Sequence, residues 1–208
     1  MTAAAAPLRT VEILAVGTEL TTGSTRDTNS GDLAKELTEH GVRVVRVAAL
    51  PDDLDTVAGA FRDGISRADL VVSTGGLGPT PDDLTREAIA AACGLEPHVD
   101  PDLETWLRGL FERRGLVMPA INRKQAWLID GAEALPNGQG SAPGWYVERP
   151  DGKVIVALPG PPREMRPMWH DHALPRLEER GLGLNRVAQT LRLSGIGESQ
   201  NAESIGED

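Results

Sequence analysis

Ser73-Thr74-Gly75-Gly76-Leu77-Gly78-Pro79-Thr80-Pro81-Asp82-Asp83-Leu84-Thr85 decides how this chain is read. It follows the apolar run Leu70-Val71-Val72, which reads as a buried strand, and it leads into a helical pattern starting near Leu84. Glycines at 75, 76 and 78 strip side chains from the strand exit, so a ligand can touch backbone N–H groups directly. Such an exit suits a phosphorylated ligand. The adjacent carboxylates of Asp82 and Asp83 then stand at the helix start, where they either cap the helix or hold a divalent metal against that phosphate.

Working outward, Val11 to Val16 reads as a first strand ended by Gly17, and a helix after Thr28-Asn29 carries Leu33, Ala34 and Leu37 before stopping at Gly41. Val42 to Leu50 is a second strand, and Asp53 to Arg67 a second helix with apolar residues at helical spacing. This alternation predicts an α/β three-layer sandwich with a mostly parallel sheet, strand C-termini along one edge, and ligands bound there. The loops 17–29, 51–53 and 75–83 are therefore expected to converge.

Beyond Gly94, helices are expected over 101–114 and 119–128, each opening on a proline, and together forming a cover. A hairpin is expected from 144–148 and 154–158 around Arg149-Pro150-Asp151-Gly152-Lys153. Pro159 to Pro162 makes a rigid corner, Arg163 to Arg180 an interrupted helix, and Arg186 to Leu193 a strand. We place one domain over 1–175 and a linking segment or small second domain over 176–208.

Composition limits the function classes. A chain of 208 residues buries roughly 70 % of its unfolded surface, enough for a core without staples. Aromatic residues make up 3 %, so Ala, Val, Leu and Ile must build that core. The net charge of −10 disfavours a nucleic-acid surface, which needs a basic stripe. Cys93 is the single cysteine and favours a reducing compartment; with no signal peptide or membrane-length apolar run, the chain reads as cytoplasmic, with no membrane partner. The sequence has no HExxH, CxxC, GxSxG or Walker-type lysine loop. His170 and His172 straddle Asp171, but alternate helix positions face apart, and Met165 and Met168 read as core.

Gly17-Thr18-Glu19-Leu20, Thr28-Asn29, Gly75 to Thr80, Asp82 to Thr85, Asn122-Arg123-Lys124-Gln125 and Leu158 to Pro162 together resemble the N-terminal domain of the competence/damage-inducible CinA proteins, and Gly195 to Ser199 extends the match. That domain belongs to the molybdopterin-binding MoaB/Mog-like family. The resemblance implies hydrolysis of ADP-ribose to AMP and ribose 5-phosphate, with a divalent metal and potassium, in a homodimer. It also implies that Asp52 and Asp83 match the two aspartates used by Mog-like relatives. The amidohydrolase domain of full-length CinA is not in this sequence, so its reaction is not expected here.

Residue chemistry is compatible with that implication. Cleaving a pyrophosphate requires neutralised phosphate charge and a water in line with phosphorus. Asp83 is the first choice as metal ligand, with Asp82 beside it; Asp52 completes the shell or steers water; Glu19 is a further ligand or general base. Oxygen ligands suit Mg²⁺ and Mn²⁺ equally, and only the resemblance points to cobalt. Gly17, Thr18, Asn29, Gly75, Gly76, Gly78, Pro79, Thr80, Thr85, Asn122, Lys124, Pro159 and Gly160 are expected to contact a small dinucleotide substrate, with Asn29 and Asn122 reading ribose or phosphate and Lys124 balancing charge. Two other readings stand: a module that binds a pterin or nucleotide phosphate without turnover, and a regulatory or interaction domain.

Overall fold

The computed structural model describes residues 6–183. In chain order the elements are β1 (Thr10–Val16), α1 (Thr18–Thr21), α2 (Asn29–Glu39), β2 (Arg43–Leu50), α3 (Leu54–Arg67), β3 (Leu70–Thr74), α4 (Thr85–Cys93), β4 (His98–Val99) and α5 (Pro101–Glu112). A 3-10 segment (Ala120–Ala126), β5 (Trp127–Leu128), β6 (Ala132–Leu135), β7 (Gly144–Glu148), β8 (Val154–Leu158), α6 (Pro162–Met168), a π-helical turn (Trp169–Ala173) and α7 (Leu174–Arg180) follow. The strand expected over 186–193 and the Gly195 to Ser199 motif lie outside the described residues.

Six strands form one sheet in the order β2-β1-β3-β8-β7-β6. The first four are parallel, while β7 runs antiparallel to both β8 and β6. Alternate side chains feed two cores. Leu14, Val16, Val71 and Ile155 pack with Val57 and Phe61 of α3 and Ile89 of α4. Val11, Ile13, Val72 and Val156 pack on the other face with Leu33 and Leu37 of α2, Trp169 and Leu177. The three-layer α/β fold is as the strand–helix alternation predicts. A carboxylate intrudes into the sheet: Glu12, fully buried on β1, accepts from Arg67 at 3.1 and 3.2 Å and from Arg46 at 3.4 Å.

Three elements differ from expectation. Residues 119–128 are not one helix: the 3-10 turn ends at Ala126, and Trp127 turns extended to pair with Val99 in a separate two-stranded ribbon. Strand β6 and the single turn α1 carry no strong sequence signal. The helix over 163–180 is interrupted as its prolines require, through a π-helical turn between α6 and α7. The boundary expected at 175 falls inside α7, and residues on both sides of it belong to the same core. Met165 and Met168 are buried, whereas Cys93 is only half-buried, its Sγ accepting from Arg149 Nη1 at 3.5 Å.

Candidate active site

The four parallel strands end together, because Val16 registers with Leu50 and Thr74 with Leu158. Backbone bonds close the edge: Gly17 N–H donates to Leu50 at 2.9 Å and Gly75 N–H to Leu158 at 2.9 Å. Gly75 sits at φ +95°, and a Cβ there would lie 2.1 Å from the Val16 carbonyl oxygen, so no other residue fits this crossing. A cleft of about 530 Å³ opens above the edge, within the usual range for small-molecule sites.

The glycine loop is oriented by α4. Thr85 Oγ1 donates to the Gly75 carbonyl at 2.8 Å, Thr85 N–H to Gly76 at 3.1 Å, and Arg86 Nη1 to Leu77 at 2.8 Å. With every peptide among the described residues trans, a carbonyl pulled toward the helix sends the next N–H the opposite way. The N–H groups of Gly76, Leu77 and Gly78 therefore point away from the α4 groups that hold the carbonyls, and all three residues line the cleft. Gly78 N–H meets Asp83 Oδ1 at 2.8 Å, while the other two find no backbone acceptor among the described residues.

Carboxylates crowd the same cleft. Glu19, Asp52, Asp82, Asp83 and Glu164 line it, against only Arg114 and Arg163 on its wall. Asp83 does not cap α4, whose N-cap is Leu84; both its oxygens turn back on the loop, to Gly78 N–H and to the N–H and hydroxyl of Thr80. Asp52 Oδ2 accepts from Thr18 N–H at 2.8 Å while its own N–H donates to Thr18 Oγ1 at 3.1 Å, tying α1 to the exit of β2. Its neighbour Asp53 is the helix cap, accepting from Thr56 N–H at 2.9 Å. Glu19 is exposed, and among the described residues its carboxylate takes no hydrogen bond.

Gly17, Gly75, Gly76, Gly78, Pro79, Pro159 and Gly160 also line the cleft. The remaining expected contacts do structural work nearby. Thr18 buttresses Asp52, Thr80 holds Asp83, and Thr85 is buried under the loop. Asn29 donates to the Gly160 carbonyl at 2.7 Å, in an adjoining chamber of about 360 Å³. Asn122 is buried against Gln125, and Lys124 is spent on Glu87 at 2.6 Å and on the Asp83 carbonyl. Arg123 pairs with Glu104 at 3.3 Å, and His170 with Glu36 at 3.3 Å.

Sequence reasoning missed the wall from Gln139 to Ala142, held by Asn137: its Oδ1 accepts from Gln139 and Gly140, and its Nδ2 donates to Ala142 and to Glu164 Oε2 at 2.8 Å. The signal was the small, polar run Asn137 to Ser141 between two strands. It also missed Arg86, which is fully buried; burial pulls its pKa down to about 10, so it keeps its charge at neutral pH.

Among the described residues, no three His, Cys, Asp or Glu side chains converge on one point that could hold an ion. The donors suit a hard cation that keeps waters and arrives with phosphate oxygens, needing one or two carboxylates, rather than a preassembled cage. Among the described residues no helix is long and apolar enough to cross a membrane.

The family model described as a probable molybdopterin binding domain matches residues 12–179. The chain is 57% identical to a CinA-like protein of Deinococcus deserti over 196 residues, which cover 94% of this chain and 48% of that protein. For the CinA-like protein of Deinococcus radiodurans the identity is 56%, over 94% of this chain and 49% of the relative. The chain thus spans about half the length of the curated relatives it matches. Among solved structures, the CinA protein of Thermoplasma acidophilum superposes with a TM-score of 0.75 at 32% identity, covering 81% of this chain and 98% of that one. MoaB of Thermus thermophilus, with a TM-score of 0.53 at 22% identity over 84% of this chain and 97% of its own, shares the fold. The chain belongs to the molybdopterin-binding MoaB/Mog-like family and carries within it a CinA N-terminal domain.

Proposed function

We propose that the cleft hydrolyses the pyrophosphate of a small dinucleotide, ADP-ribose, to AMP and ribose 5-phosphate, assisted by a divalent cation and potassium. One observation carries the reading: five carboxylates line the same cleft as the glycine loop. A bare phosphate would be repelled by those acids, so a cation between them and the substrate reconciles the two features. Asp83 with Asp82 would hold it, Asp52 would steer water, and a Mg²⁺, Mn²⁺ or Co²⁺ ion there would supply neutralisation of phosphate charge. The N–H groups of Gly76 and Leu77 bind one phosphate. Glu19, exposed and without a partner among the described residues, takes the proton of the attacking water.

The chain incubated with ADP-ribose, K⁺ and each metal in turn is expected to release AMP, and Asp83→Ala to lower the rate by about 10²-fold. AMP release absent, or equal in Asp83→Ala, refutes the proposal. A binding module without turnover is the second reading, favoured by the engagement of both Asp83 oxygens with its own loop. It predicts tight binding in calorimetry with the ligand recovered intact.

A further inference from the structure

Arg86 is fully buried, yet among the described residues no carboxylate touches its guanidinium. Its donors go to carbonyl oxygens, of Leu77 at 2.8 Å, Gly78 at 3.5 Å and Pro143 at 3.1 Å, and Nε has no partner among the described residues. Asp83 and Glu87 act on it only through space, and Glu87 is itself paired with Lys124. Arg86 is also the second residue of α4, where the helix dipole already places positive charge and disfavours a cation. A buried, unpaired cation at a helix N-terminus is expensive, and an apolar side chain of similar volume would be at least as stable there. Local rules broken without a packing gain point to function.

The contacts say what the function is. The Leu77 and Gly78 carbonyls belong to the glycine loop, and Pro143 follows the opposite wall at Ala142, so one side chain joins two walls of the cleft. We propose that Arg86 is a positioning residue that makes the glycine loop an anion receptor: by holding the Leu77 carbonyl it fixes the peptide whose N–H, that of Gly78, keeps Asp83 turned back on the loop, and it sets a permanent positive charge behind the loop. This rests on the reading that the loop takes a substrate phosphate. Because Arg86 is shielded from solvent, its field reaches the cleft with little screening.

The test measures binding of inorganic pyrophosphate, with and without Mg²⁺, by calorimetry on the full chain and three variants. Arg86→Met is expected to fold and melt near wild type but to bind pyrophosphate about tenfold more weakly. Arg86→Lys, which keeps the charge, regains most of that loss. Arg86→Gln, which keeps a donor for the Leu77 carbonyl but no charge, stays weak, and it stands in should Arg86→Met fail to fold. In ADP-ribose hydrolysis the loss falls mainly on KM. A merely structural arginine predicts the reverse pattern, with lowered melting temperatures and unchanged affinity. Wild-type affinity in both uncharged variants overturns the inference, as does Arg86→Lys binding no better than they do. Either result leaves the proposed hydrolysis standing if AMP is released; a wild-type chain that binds no pyrophosphate under either condition overturns both.

Discussion

Asp69 holds two strands in register with one carboxylate. It accepts from Arg9 N–H at 3.0 Å, Thr10 N–H at 2.9 Å and Thr10 Oγ1 at 2.7 Å, while Asp69 N–H donates to Thr10 Oγ1 at 3.0 Å. Burial alone would raise its pKa, but those hydrogen bonds and the charge of Lys153 outweigh it, and the net direction is down from 3.8. A depressed pKa means stability present above the unfolded value and lost as pH falls through the folded one. Asp69→Asn is therefore expected to lower stability by about 1–2 kcal/mol at pH 7, with the gap to wild type closing only below about pH 4. Urea melts at pH 7 and at a series of lower pH values check this, and a gap that does not shrink as the pH is lowered contradicts it. At this scale the sequence is ambiguous wherever two like residues adjoin. Asp52-Asp53 reads as a cap or a site; the fold divides the roles, giving the cap to Asp53 and the cleft to Asp52, because only Asp53 lies three residues before a threonine that presents both N–H and hydroxyl.

Elements show which glycines the loops need and which they merely contain. Gly75→Ala forces a Cβ onto the Val16 carbonyl at 2.1 Å from a left-handed backbone, a clash of main chain with main chain. A loss of about 2–4 kcal/mol is expected, measurable as a lowered urea midpoint. Gly17 has extended backbone at φ 163°, and the three atoms nearest a Cβ there all belong to the Glu19 carboxylate, the first at 2.5 Å. Gly17→Ala should therefore melt within about 0.5 kcal/mol of wild type while displacing Glu19, so AMP release falls with stability retained. Unchanged turnover would remove Glu19 from the mechanism. Legibility follows the same division. Elements through α4 could be read because each strand is rich in β-branched residues and each long helix keeps a clean apolar stripe. Strand β6, Ala132-Glu133-Ala134-Leu135, has no β-branched residue and exists because β7 offers it an edge. The 3-10 turn likewise reads as a helix, since its interruption depends on Trp127 finding Val99 across the ribbon.

At the scale of the molecule, the cleft belongs to no single element. Its lining comes from the exits of β1, β2, β3 and β8, from the wall between β6 and β7, and from Arg114 and Gln125, residues as far apart in the chain as Val16 and Glu164. Convergence of the first segments follows from parallel topology and was legible. The wall was not, because antiparallel β7 and β6 return it to the same edge only through tertiary pairing. A site assembled this way exists only in the folded state, so ligand binding must raise global stability. At a ligand concentration about 100 times Kd the gain is roughly 2.7 kcal/mol, which for a chain of this size raises Tm by about 5–10 °C. ADP-ribose with Mg²⁺ is expected to produce that shift, and ADP-ribose with a chelator only a fraction of it, since five lining carboxylates then face the phosphates unscreened. Asp52→Asn removes one of those charges while its amide oxygen can still accept from Thr18 N–H, so it should narrow the difference between the two conditions. A shift of equal size with and without the metal would mean that the acids are not there to receive a cation, and the cleft would then have to bind its anion by backbone N–H groups, Arg86 and the wall residues Arg114 and Arg163.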